Sequence, residues 1–211
     1  MQKEILKALN WRYSVQIFDK TKKISADDLQ VILESARLTP SSYGLEAWKF
    51  IVVENPAIRL QLQEAGYGQS KIADASHLIV LTRRTDLVEN ILNEKISRTV
   101  KALNIEEESL SNLKQMVANH LNNSPADALS AWAKSQTYIA LGVMTATASL
   151  LGIDNGPIEG FMPDKVDEIL GLKTKNLTAT LMLALGYRGE DPNASKPKIR
   201  RNFADVIEFV K

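Results

Sequence analysis

The 211-residue sequence contains no cysteine. That absence excludes disulfides, thiolate zinc sites, iron–sulfur clusters and a cysteine nucleophile together. It also suits a reducing compartment. Histidine is nearly absent as well, with His77 and His120 the two examples, so histidine-rich metal or triad chemistry is not expected and no metal site is assigned. No apolar stretch reaches the length of a membrane span, because Thr, Gly or Lys interrupts the greasiest segments. Charge of one sign is lacking too: 26 basic and 25 acidic residues leave a formal charge of +1. Such a chain has no global field with which to hold nucleic acid or an anionic membrane. The start, Met1 to Lys7, carries charge where a secretory leader would need an apolar run. A soluble, cytoplasmic protein is the expectation.

The common phosphate and nucleophile motifs are missing. Gly66-Tyr67-Gly68 has Lys71 where a dinucleotide fingerprint would need its third glycine. There is no G-x-x-x-x-G-K-[ST] loop and no G-x-S-x-G elbow.

What is present is an ordinary globular balance, 45% hydrophobic and 24% charged. A chain of this size buries most of its apolar surface without help from a metal or disulfide. Ile5, Leu6 and Leu9 have helical spacing that stops at Asn10-Trp11. Ser25 and Asp28 form a capping pattern ahead of a helical face of Leu29, Ile32, Leu33 and Ala36, which should end near Thr39-Pro40. Trp48 to Val53 and His77 to Thr82 read as strands, the second a continuous apolar run of a buried central strand. Between them, Ile58 to Ala65 reads as a helix closed by Gly66-Tyr67-Gly68. Residues 86–122 are highly charged and weakly patterned, and read as exterior helices. Ser130 to Leu151 is a long helix, apolar almost all round, which belongs in a core or a subunit interface, with Gly152 as its cap. Pro157 to Phe161 reads as a turn, Pro163 to Leu170 as a helix, and Leu177 to Leu185 as a strand stopped by Gly186. A basic turn at 196–201 and an apolar tail from Phe203 to Lys211 complete the chain. The result is a single α+β domain over residues 1–211.

Several cationic and small polar residues fall at the junctions of these elements: Arg12, Ser14, Ser41, Ser42, Lys71, Lys198 and Arg200. Arg, Lys and a serine hydroxyl suit a phosphate, but spacing alone does not bring such distant positions together. Ser41-Ser42 after Pro40 reads equally as a helix cap or as loop, and Pro157 to Gly160 as an ordinary turn. His77 reads as structural, His120 as surface, and Trp11, Trp48 and Trp132 as core.

The order of these segments resembles the FMN-dependent nitroreductase family. Arg12-Tyr13-Ser14-Val15-Gln16-Ile17-Phe18 is similar to that family's R-x-S-x-[KR]-x-F, and Pro40-Ser41-Ser42-Tyr43-Gly44-Leu45-Glu46-Ala47-Trp48 to its P-S-S segment. Gly68-Gln69-Ser70-Lys71 to His77, Gly152 to Phe161 with Pro157-Ile158-Glu159-Gly160, and Lys198-Ile199-Arg200-Arg201 resemble three further family stretches. The matches keep their order across residues 10–203. The resemblance implies an α+β nitroreductase-like fold with a mixed, mostly antiparallel central sheet flanked by helices. It also implies an intertwined homodimer with FMN at the subunit interface. A helical excursion at about 86–130 would lie over the cavity, and the tail 203–211 would pack on the partner.

The resemblance further implies that Arg12, Ser14, Lys198 and Arg200 hold the FMN phosphate, with Tyr13 and Gln16 in the same segment. Pro40, Ser41 and Ser42 would reach the flavin of the other subunit. Gln69 or Gly68 would touch the polar ring edge, Lys71 would stand beside N1 and O2, and Pro157, Ile158, Glu159 and Gly160 would line the ring, with a backbone N–H of Glu159 or Gly160 at N5. Lys71 and Glu159 would tune the flavin, and no side chain would act as nucleophile. The electron donor would be NADH or NADPH and the acceptor a small electron-poor molecule such as a nitroaromatic or quinone. The alternatives are another flavin reaction on the same fold, a non-catalytic flavin-binding or regulatory dimer, and a helical binding protein with no cofactor. Two positions depart from the family pattern: Gln16 stands for Lys or Arg, and Glu46-Ala47 for Gln-Pro.

Overall fold

The computed structural model describes residues 1–211, apart from the side chain of Glu89. Helix α1 (Gln2–Trp11) ends where Arg12 turns extended. Helix α2 (Ala26–Arg37) starts as its capping pattern requires, with the Ser25 hydroxyl accepting from the Asp28 N–H at 3.1 Å. It stops before Thr39-Pro40. Strand β1 (Trp48–Val53) leads to α3 (Pro56–Ala65), where Asn55 caps the first turn and Pro56 takes a position that needs no N–H. The single turn α4 (Lys71–Asp74) precedes β2 (His77–Arg84). A π-helical turn, Leu87–Ile91, opens α5 (Leu92–Leu103), followed by α6 (Ser111–Asn123) and the long α7 (Ala126–Leu150). The chain closes with β3 (Asp154–Ile158), α8 (Pro163–Leu170) and β4 (Leu177–Gly186).

The four strands form one sheet in the order β1-β2-β4-β3, and every ladder is antiparallel. One isolated parallel bridge, Ser14 with Asn155, extends it beyond β3. Side chains of the two central strands alternate between faces. Leu78, Val80, Met182 and Ala184 join Leu62, Ile72 and Val166 beneath α3, α4 and α8. Ile79, Leu81, Leu183 and Leu185 join Ile32, Ala36, Met144 and Ala148 beneath α2 and α7. A one-residue slip would exchange the two sets, so burial on both faces holds the register. A third cluster, including Leu45, Ile96, Leu121 and Ala133, anchors α5 and α6 to the first half of α7.

Some expectations are corrected. Pro157 to Phe161 is not simply a turn: Pro157 and Ile158 belong to β3, and the chain leaves the strand only afterwards. Proline is tolerated there because β3 is an edge strand. Helix α7 begins at Ala126, four residues earlier than its apolar run, because Pro125 sets its start. His120 is not a free surface residue; it is half-buried between the rings of Tyr43 and Trp132, at centroid distances of 5.6 and 6.2 Å. Trp11 lies outside the core, exposed, with the Arg188 guanidinium over its ring at 4.4 Å. Among the described residues, no helix is long and apolar enough to cross a membrane.

Candidate functional site

Beyond α1 the chain passes the outer edge of β3 at Ser14 and Val15 and then pairs, at Phe18, with Arg188 past the end of β4. The Val15 N–H donates to the Asn155 carbonyl at 3.2 Å. Gly156 is required at this approach, since a Cβ there would lie 2.8 Å from the Val15 carbonyl oxygen. The basic turn folds back over the end of α1, where the Lys198 ammonium donates to the carbonyls of Leu9 (3.0 Å) and Arg12. A cation suits the carbonyl end of a helix. Between these segments is a cavity of 440 Å³ lined by Arg12, Ser14, Lys196, Lys198 and Arg200. Among the described residues, no acidic side chain lines it.

The electrostatic result is a crowd of like charges. Burial lowers the Arg12 pKa, and the neighbouring Arg200 lowers it further. Lys198 is lowered by burial, then by Arg12 and Arg200. Tyr13 lies beside them with its hydroxyl buried and without a hydrogen-bond partner among the described residues. Burial first, and then the negative charge of Asp191, pushes its pKa up to about 12.

The second part of the site adjoins the first through Gln16. Its side-chain amide donates to the Ser14 carbonyl at 2.8 Å, and its Oε1 accepts from the Lys71 ammonium at 3.1 Å. Lys71 is 5% exposed, and burial depresses its pKa against a weaker opposing pull from Asp191. A buried ammonium held by a neutral amide keeps its positive charge available to a ligand. Gln69 continues the strip, with its Nε2 donating to the carbonyls of Gly66 (2.9 Å) and Gly160 (2.7 Å). Gly68, at φ +75°, turns the chain into this segment.

The free edge of β3 faces this strip. Because Asn155 bonds outward to Val15, alternate residues along the strand also turn their backbone polar groups away from β4. Pro157, which has no N–H, occupies the next outward position, and Glu159 follows where the chain leaves the strand. The Glu159 carboxylate is drawn to α7, where Tyr138 Oη donates to it and Lys134 Nζ lies at 3.1 Å. Those two bonds hold its pKa below the usual carboxylate range.

The fold thus assembles Arg12, Tyr13, Ser14, Gln16, Gly68, Gln69, Lys71, Pro157, Glu159, Gly160, Lys198 and Arg200 along one edge of the sheet. Ile158 contributes backbone only, since its side chain is 2% exposed in the core. Pro40, Ser41 and Ser42 lie apart, bound to other partners. The Ser42 N–H donates to Gln136 Oε1 at 2.8 Å, and Ser41 Oγ accepts from the Glu46 N–H at 3.0 Å. Glu46 itself has φ +55°, a conformation hostile to a following proline; Ala47 at that place is compatible with it.

Sequence reasoning missed Lys196 in the cavity wall, although it lies within the basic run. It also missed the supports behind the site. Asp191 accepts from the N–H groups of Gln16 (2.8 Å) and Ile17 (3.3 Å), and Arg188 is locked to Asp154 at 2.5 Å. Only the Asp191-Pro192-Asn193 turn signal hinted at the first, and nothing at the second.

The chain has relatives among known proteins. The profile of the nitroreductase family matches residues 9–187. A protein of Staphylococcus haemolyticus, provisionally named an NAD(P)H nitroreductase, is 38% identical over all of this chain and 99% of its own length. The solved structure of ydfN from Bacillus subtilis, described provisionally as a nitroreductase, superposes with a TM-score of 0.86 at 19% identity, covering both chains fully. A structure from Exiguobacterium sibiricum, similarly described and solved in complex with FMN, gives a TM-score of 0.82 at 23% identity over 99% of this chain and 96% of its own. The chain belongs to the nitroreductase family, and its fold is the nitroreductase-like α+β fold.

Proposed function

We propose that the protein is an FMN-dependent NAD(P)H oxidoreductase, working as a homodimer in the cytoplasm and reducing nitroaromatics, quinones or similar electron-poor acceptors. The observation that carries this reading is the uncompensated cation set. Arg12, Lys198 and Arg200 crowd a cavity without a carboxylate, and the ammonium of Lys71 is buried against the neutral Gln16 side chain. Such groups fit a phosphate at one end and an anionic ring edge at the other. When bound, FMN supplies the hydride-accepting centre that the side chains of this chain lack.

In this reading Arg12, Ser14, Lys198 and Arg200 hold the phosphate, with Tyr13 behind them. Lys71, steadied by Gln16, would place its positive charge beside the ring and favour negative charge there. Gln69 and Gly68 bind its polar edge. A backbone N–H of Glu159 or Gly160 would donate to the ring edge, while Pro157 and Ile158 would present backbone. The same open face admits NADH or NADPH and then the acceptor, a ping-pong order that needs no protein nucleophile. Pro40, Ser41 and Ser42 serve the second site of the dimer. The large exposed apolar residues of α1, α7 and the tail, among them Leu6, Ile139 and Phe209, support a partner subunit.

The test is the visible spectrum of the purified protein, followed by anaerobic addition of NADPH. A flavin spectrum that bleaches is expected. A colourless protein that also refuses added FMN sinks the proposal.

A further inference from the structure

Helix α3 buries a guanidinium on its apolar side. Arg59, Leu62 and Ala65 follow one another at helical spacing along the buried face, and Arg59 is 7% exposed. A cation in such a place is costly unless its donors are met. Here the backbone meets them. Nε donates to the Ile72 carbonyl at 3.0 Å, Nη2 to Ala75 at 2.6 Å and Nη1 to Ser76 at 3.2 Å. Asp74, the acidic group that acts on it, is itself bridged to Lys20 at 3.0 Å.

All three acceptors lie in α4 or just beyond its end, and α4 is a single turn whose first residue is Lys71. One turn of helix does not hold its own conformation. Its placement therefore comes from outside, from the Ile72 side chain in the core and from the fork of Arg59 across its last carbonyls. Lysine could not reproduce that fork, because its ammonium is a point donor rather than a planar one.

We propose that Arg59 is a positioning residue for the cofactor site, gathering the carbonyls of Ile72, Ala75 and Ser76 so that the Lys71 ammonium stands against Gln16 and the bound ring. The inference rests on the reading of Lys71 as a flavin contact. Neither the sequence motifs nor the family pattern quoted above includes Arg59.

The experiment is a double-mutant cycle on FMN-loaded protein with Arg59→Lys, Arg59→Gln and Lys71→Met. It is read by the FMN dissociation constant, the midpoint potential of the bound flavin and Tm. Arg59→Lys is expected to weaken FMN binding by about tenfold in the native background and by less than about twofold when Lys71 is already Met. The potential should shift in the first background and not in the second. The Tm loss should be equal in both, since it reports packing. Equal weakening in both backgrounds, or no weakening at all, would reduce Arg59 to a structural cap and overturn the proposal. Arg59→Gln repeats the test with a neutral side chain, and if it fails to fold the lysine variant decides alone. A native protein that takes up no FMN would defeat the functional reading itself, and the inference with it.

Discussion

At the scale of single residues, the site is built from charges that the fold does not neutralise. Burial first, and then Arg200, lowers the pKa of Arg12, and burial followed by Arg12 and Arg200 lowers that of Lys198. Removing an exposed member should therefore cost the fold little and the ligand much. Arg200→Ala is expected to weaken FMN binding by roughly ten- to a hundredfold, the worth of a charge-assisted bond. Binding of riboflavin, which lacks the phosphate, should stay unchanged, and so should Tm. An equal loss for riboflavin would mean that Arg200 supports the cavity rather than the phosphate. These cations were legible individually as residues at element junctions. The contact of Lys71 with Gln16 was not, because it joins positions 55 residues apart and local spacing carries no information about it.

Elements were read more easily where their period was strong. Strands β1, β2 and β4 and helices α2 and α8 lie where alternation, capping and punctuation put them. Strand β3 was missed because Asp-Asn-Gly-Pro is a turn composition; edge pairing with β4 overrides it. The helical excursion depends on an ionic clasp at its root. Arg84, at the end of β2, binds Asp86 at 2.5 Å and also Glu94 on α5. The hydrogen bonds from Arg84 are the largest cause holding both carboxyls below their ordinary pKa. A depressed carboxylate contributes stability above its unfolded pKa and loses it as pH falls through the folded value. The clasp should thus be intact above about pH 4.3 and fail progressively below about pH 3.9. Amide exchange in α5 is expected to accelerate there before exchange in β2 and β4, and Arg84→Met should abolish the acid step. Simultaneous loss of α5 and the sheet would count against a separate clasp.

For the whole molecule, the exposed apolar surface is the dominant fact. Phe203, Ile207, Phe209 and Val210 are exposed, as are Ile5 and Leu6 of α1. Deleting residues 203–211 is expected to convert the proposed dimer to monomer or aggregate, as read by light scattering, and to lower FMN retention. An unchanged dimer would place the interface elsewhere. The sequence by itself determined the composition-level exclusions, most secondary elements and the run of motifs that marks the family, because these depend on residue type and short-range period. Tertiary structure alone decided which junction residues meet. It closed Arg12, Lys198 and Arg200 around one cavity, set Lys71 against Gln16 through α4, and left Pro40 to Ser42 apart. The physical reason is that these approaches are set by two-sided burial of β2 and β4 and by edge pairing on β3, long-range constraints that no local pattern encodes.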